Sequence, residues 1–262
     1  MSALMPVFAI IWPWIGLGAA AILLVLLVCG DGLQADRTIS RWADMTWLTW
    51  LGLALTLLYQ FEAHGLDLLG RPYALRGALC ADLSYRDAIT CPVPLGFITA
   101  ANITGVWVAG LLAALLTRRW PLIGVSVFAI PLVNLFIHAG SAIGSARYMP
   151  GLGSALVLLA PLCLWVMVTV ARRPGEGLLA LGLLAISSLA VLAIMLGSLW
   201  GFVRGFIGPL GLVIIQIPNA GIPLAVMSLG LMRRRPHASA LPPSSPKPVR
   251  RRSPRPVATP RE

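Results

Sequence analysis

One carboxylate and two imidazoles stand out as groups able to do chemistry inside an otherwise apolar chain: Glu62, His64 and His138. A carboxylate and an imidazole facing one cavity can act as general acid and base, bind a cation or relay protons. Polar companions lie at helical spacing from them. Tyr59 precedes Glu62 by three residues and Asn134 precedes His138 by four, so each pair shares a helix face. Asn102, Gln216 and Asn219 are further amides within apolar runs. These residues predict a small outward-facing polar pocket. In it Glu62 and His138 form the proton-handling or ligand pair and Asn134 orients His138, while Tyr59, His64, Asn102, Gln216 and Asn219 orient or contact the ligand. The competing expectation is that Glu62 and His64 are interfacial loop residues and that the amides hydrogen-bond between helices, each contributing about 1 kcal/mol to packing. Two imidazoles and a carboxylate could also ligate zinc or iron, but no HExxH spacing or second helical carboxylate accompanies them. No cofactor is therefore predicted, and a divalent metal is the minor alternative.

The elements that must position these groups follow from composition. Of 262 residues, 58% are hydrophobic and 11% charged, where a soluble domain is roughly 25% charged. Too little polar surface exists to cover a globule of this size, so the expected class is an all-α, polytopic transmembrane helical bundle. Seven stretches are long and apolar enough to be drawn as spans: 6–29, 45–61, 95–116, 120–141, 152–171, 178–200 and 206–232. The second is the shortest, bracketed by Asp44 and Glu62, and the break between the last two rests on residues 200–209. At 1.5 Å per residue, His138 lies about 27 Å along a helix beginning near Trp120. That is close to the level at which Glu62 and His64 leave the second span.

Charge is unevenly placed. Residues 233–262 hold nine Lys and Arg against one acid and eight of the 21 prolines, which predicts a disordered basic tail on a transmembrane domain of residues 1–232. With the tail inside, inner segments carry 15 Lys and Arg and outer segments five, so the N-terminus is expected outside and the C-terminus in the cytoplasm. The expected partners are the lipid bilayer and, for the tail, anionic headgroups; nucleic acid is disfavoured. Nineteen Arg to one Lys, with abundant Ala, Leu and Gly, suggests a GC-rich bacterial genome and so the inner (plasma) membrane. The first span lacks a basic n-region and its apolar run exceeds a signal-peptide core, so it is expected to remain uncleaved.

Cys29 and Cys163 fall in or beside spans and read as small apolar residues. Cys80 and Cys91 lie in the long connection 62–94, placed outside by the charge count. They are either a bridge, worth about 3 kcal/mol on the chain-entropy description, or two free thiols, with the bridge favoured.

Beyond these features, a resemblance covers residues 48–168. The stretch Tyr59-Gln60-Phe61-Glu62-Ala63-His64-Gly65-Leu66-Asp67, with Gly70-Arg71-Pro72-Tyr73, looks like the start of the HXXEE family of bacterial integral membrane proteins. Asn134-Leu135-Phe136-Ile137-His138 resembles that family's NxxxH element, and Arg147-Tyr148-Met149-Pro150-Gly151-Leu152 its Tyr-x-Pro-Gly segment. The name-giving motif is degenerate. Tyr59 stands where the first His would be and Ala63 where the second Glu would be, so Glu62 alone remains of the three. The family's HxxxN element has no direct counterpart, although Gln216-x-x-Asn219 lies in the corresponding part of the chain. The resemblance implies membrane class and site position rather than a reaction.

No Walker loop, dinucleotide fingerprint or nucleophile elbow is present, and Gly140-x-x-x-Gly144 offers a weak helix-approach signal. Three functional classes remain open. They are an intramembrane enzyme acting on a lipid-like molecule through Glu62 and His138, a transporter or binding protein using Asn102, Gln216 and Asn219 at mid-depth, and a noncatalytic structural membrane protein.

Overall fold

The structure, a computed structural model, describes residues 4–86 and 90–232; the basic tail at 233–262 lies outside the described residues. Eight helices form: α1 (Leu4–Cys29), α2 (Met45–His64), α3 (Ala74–Asp82), α4 (Leu95–Thr117), α5 (Pro121–Gly144), α6 (Leu152–Ala171), α7 (Gly177–Val203) and α8 (Pro209–Met232). No strand forms among the described residues, where one antiparallel bridge joins Leu66 and Pro72. Helices α1, α4, α5, α6, α7 and α8 are long and apolar enough, by length and composition, to cross a membrane.

The seventh expected span is α2, and its role differs from the others. Sixteen of its 20 residues are buried, so it is sheathed by protein, with α1, α4, α5 and α6 packed around it. A helix in that position need not be apolar all round, because Thr49, Thr56, Tyr59, Gln60 and Glu62 face neighbouring helices and not lipid. Its threonines are satisfied locally, Thr49 donating to the Met45 carbonyl and Thr56 to that of Gly52, both at 2.6 Å.

Asp44 opens α2 as its N-cap. One carboxylate oxygen accepts from Thr46 N–H at 2.7 Å and Trp47 N–H at 3.1 Å, and the other accepts from Ala35 and Asp36 N–H, both at 2.8 Å. A buried charge with four donors is compensated for its desolvation, and here it fastens the 30–44 connection to the helix. Arg41 adds a 2.6 Å ion pair to Asp31 in the same connection.

Regular α geometry lapses at three places. Helix α4 is π-wound over Ile103–Gly110, α6 over Ala155–Leu159, and α5 opens as a 3-10 helix over Pro121–Phe128. At that opening, Gly124 passes directly against Thr49 and Thr117, and a Cβ there would collide with both hydroxyls. Gly140 and Gly144 have open space where a Cβ would be, so they mediate no close helix approach. The amides of α8 act between helices. Gln216 donates to Ser198 Oγ at 3.0 Å, and Asn219 donates to the Val191 carbonyl and to Gln216 Oε1, both at 3.2 Å.

The described part of the long connection 62–94 is not all loop. It contains α3, whose Cys80 is bonded to Cys91, while Cys29 and Cys163 are free. Arg76 reinforces the closure by donating to the carbonyls of Cys91 and Val93, and Ser141 on α5 donates to Asp82 at 2.9 Å.

Candidate functional site

The last turn of α2 meets the first turn of α6. Helix α6 starts after Gly151, with no side-chain cap and no acidic residue in its first turn. Its exposed N–H groups therefore require a partner from elsewhere. Glu62 supplies it: Oε1 accepts from Gly153 N–H at 3.1 Å and Oε2 from Ser154 N–H at 2.5 Å. Oε1 also accepts from the Tyr148 hydroxyl at 2.8 Å. These three donors satisfy both oxygens of the buried side chain at the helix N-terminus. Gly153 is needed for this approach, since a Cβ there would lie 3.1 Å from Glu62 Oε1 and collide with Leu68.

One turn earlier on α2, the Tyr59 hydroxyl hydrogen-bonds His138 Nε2 at 2.5 Å, with the rings edge to face. Tyr59 is 1% exposed and His138 2% exposed, so the pair is shut off from solvent. His138 Nδ1 is buried and has no hydrogen-bond partner among the described residues. Gly151 separates the two halves of the site. It adopts φ +93, and a Cβ on it would sit 2.9 Å from Ala63 Cβ, 2.9 Å from the Tyr59 ring and 3.2 Å from His138 Cε1. The Tyr-x-Pro-Gly segment thereby acquires a physical meaning: Tyr148 donates to Glu62, and Gly151 wedges between Tyr59, Ala63 and His138.

In front of Tyr148 lies a vestibule of about 330 Å³. Arg71, Asp82, Arg147 and Tyr148 supply its polar groups, and Ala74, Gly77 and Ala78 of α3 line it as well. The turn that carries Arg71 is held by Asp67, which accepts from Leu69 and Arg71 N–H and pairs with the Arg71 guanidinium at 2.8 Å. Burial opposes ionisation of Asp67, but the Arg71 N–H and guanidinium outweigh it and hold the carboxyl below its usual range. Burial, reinforced by the hydrogen bond to Glu62, pushes the Tyr148 phenol up to about 12. Because the folded value exceeds the unfolded one, near 10, the protonated phenol stabilises the fold below pH 10, and that contribution fades as pH rises towards 12. Ultraviolet titration should therefore find a tyrosine component with a midpoint near pH 12 that Tyr148→Phe removes. A curve unchanged by the substitution would refute the assignment.

The other expected site residues are placed differently. His64, two positions beyond Glu62, turns towards α1, its ring 5.1 Å from Trp12 and bordering a cavity of about 40 Å³. Asn134, expected to orient His138, makes no side-chain hydrogen bond among the described residues; Tyr59 holds the imidazole, because its hydroxyl projects from α2 straight onto Nε2. Asn102 accepts from Gln60 at 2.9 Å, and Gln60 in turn accepts from Trp107 at 3.1 Å, a network within the α2–α4 interface. Gln216 and Asn219 bond to α7 and do not join Glu62. Among the described residues no three His, Cys, Asp or Glu side chains group as a metal-ligand set, and the Glu62 oxygens already face N–H and O–H donors.

Sequence reasoning did not single out Tyr148, the vestibule arginines or Asp44 as functional or capping groups. Asp44 carried a readable signal, an Asp placed before an apolar run. For Glu62 the signal was the uncapped start of α6, which calls for a distant carboxylate.

The fold and site define a class: a bundle of apolar helices compatible with a multi-pass membrane protein, built around a polar central helix whose Glu62 caps a neighbour and whose Tyr59 holds a buried histidine. Residues 50–166 match the family model described as "Protein of unknown function with HXXEE motif", the family that the sequence resembles. No curated protein matches the chain, and no solved structure matches it. The matched segment contains Tyr59, Glu62, His138 and Tyr148, and so the whole site.

Proposed function

We propose that the protein is an intramembrane acid–base site acting on a polar group of an amphipathic, lipid-like molecule. The observation that carries this reading is the buried Tyr59–His138 hydrogen bond beside an imidazole nitrogen left without a partner. A buried polar atom of that kind is normally satisfied, and a histidine in such a position is suited to proton transfer. His138 and Tyr59 form the proton-handling pair. Glu62 holds Tyr148 at the vestibule wall. Arg147 and Asp82, with Arg71 already paired to Asp67, give the vestibule both signs of charge, which suits a polar headgroup.

The site end is proposed to face outward from a bacterial inner membrane. The arginine distribution supports that orientation, as does the Cys80–Cys91 bond at the same end, which an oxidising compartment would preserve.

The test is lipid profiling of purified protein incubated in bacterial lipid extract. Wild type is expected to convert a lipid species that His138→Ala and Tyr59→Phe leave unchanged, with both variants eluting as folded protein. Identical lipid profiles for wild type and His138→Ala would overturn the proposal.

A further inference from the structure

A second cavity, larger than the vestibule, lies on the flank of the bundle. A groove of about 920 Å³ runs along α2 and α6, and its polarity is segregated. One end presents Arg172 and Ser40; the remainder is apolar, with Leu55 and Val157 near the far end. Arg172 is exposed, and its guanidinium has no hydrogen-bond or ion-pair partner among the described residues. The cationic end also has a fixed wall. Trp165 Nε1 on α6 donates to the Trp42 carbonyl at 2.8 Å, and the two indoles meet edge to face with centroids 6.2 Å apart. This wall joins the 30–44 connection to α6 at the level where interfacial aromatics anchor membrane proteins.

Length and charge together select an occupant. From Arg172 to Val157 the groove follows α6 for roughly 22 Å at 1.5 Å per residue, whereas one leaflet contributes about 15 Å of hydrocarbon. An acyl chain lying there would touch protein through the full depth of its leaflet while its headgroup met a free guanidinium. We infer that this groove is a binding site for one anionic phospholipid, with its phosphate at Arg172 and one acyl chain against Leu55 and Val157. A zwitterionic lipid gains the apolar contact but less of the charge pairing, and a helix from a second copy would leave Arg172 without a counter-charge. The inference is independent of the acid–base reading of Tyr59 and His138.

Native mass spectrometry of the full chain with phosphatidylglycerol or phosphatidylcholine tests it. Wild type is expected to retain phosphatidylglycerol preferentially, and Arg172→Gln to reduce that preference about fivefold, the effect of one interfacial arginine. Val157→Trp, which fills the apolar end, should weaken retention of both lipids. Arg204→Gln, in the turn between α7 and α8 at the opposite end of the bundle, should leave the preference intact. Three results would overturn the assignment: an unchanged preference in Arg172→Gln, its loss in Arg204→Gln in place of Arg172→Gln, or a lipid-free dimer that Val157→Trp dissociates.

Discussion

Glu62→Ala is expected to lower unfolding free energy by about 3 kcal/mol, since charge-assisted hydrogen bonds contribute roughly 1.5–3 kcal/mol each and the donors left behind stay partly buried. The loss is not that of one contact. Removing the carboxylate leaves Gly153 and Ser154 N–H and the Tyr148 hydroxyl without an acceptor together, so α6 loses its cap and the vestibule wall loses its anchor. Glu62→Gln should recover part of the loss, because one amide oxygen can still accept while the NH2 opposes a donor. Glu62→Asp, shorter by one methylene, should fail to reach the α6 N-terminus. Thermal unfolding in detergent gives the order wild type, Gln, then Ala. If Ala and wild type unfolded together, Glu62 would not be the cap of α6.

Gly151→Ala should cost about 3 kcal/mol by a different route, combining a left-handed backbone that a Cβ disfavours with overpacking. The new methyl would meet Ala63, the Tyr59 ring and His138 at 2.9 to 3.2 Å. None of the three has room to retreat, since Tyr59, Ala63 and His138 are all buried. Adding Ala63→Gly removes one of the collisions and should return about 1 kcal/mol, a coupling of the size expected for residues in contact. Strict additivity of the two substitutions in the unfolding measurement would place Gly151 away from α2.

Much of the bundle was legible because membrane spans are written in long apolar runs. Six helices coincide with expected stretches to within a few residues, and α2 was located although its polar residues dilute the signal. Its position at the centre was not legible, because burial by protein and burial by lipid look alike in hydropathy; the threonines and Gln60 were the clue that α2 faces other helices. The candidate site was legible as residue types and less so as partnerships. Glu62 and His138 were found because ionisable groups are rare in such a chain, but four-residue spacing pointed to Asn134 as the companion of His138. Helical periodicity relates residues within one helix, and it carries no information on which neighbour crosses above. Tyr59 reaches His138 across a 79-residue separation that only packing could reveal.

The two carboxylates that bracket α2 differ in when their partners are made. Asp44 is satisfied by N–H groups within nine residues of it, so it is complete as soon as that stretch has been synthesised. Glu62 takes its backbone donors from 91 and 92 residues downstream. At the usual 5–20 residues per second of synthesis, its charge waits roughly 5–20 s before α6 exists to receive it. During that interval α2 would carry an unpaired anion at its end, costly in hydrocarbon. The helix at the centre of the finished bundle is therefore among the last to settle, kept near the headgroups or beside the insertion machinery until the first turn of α6 arrives.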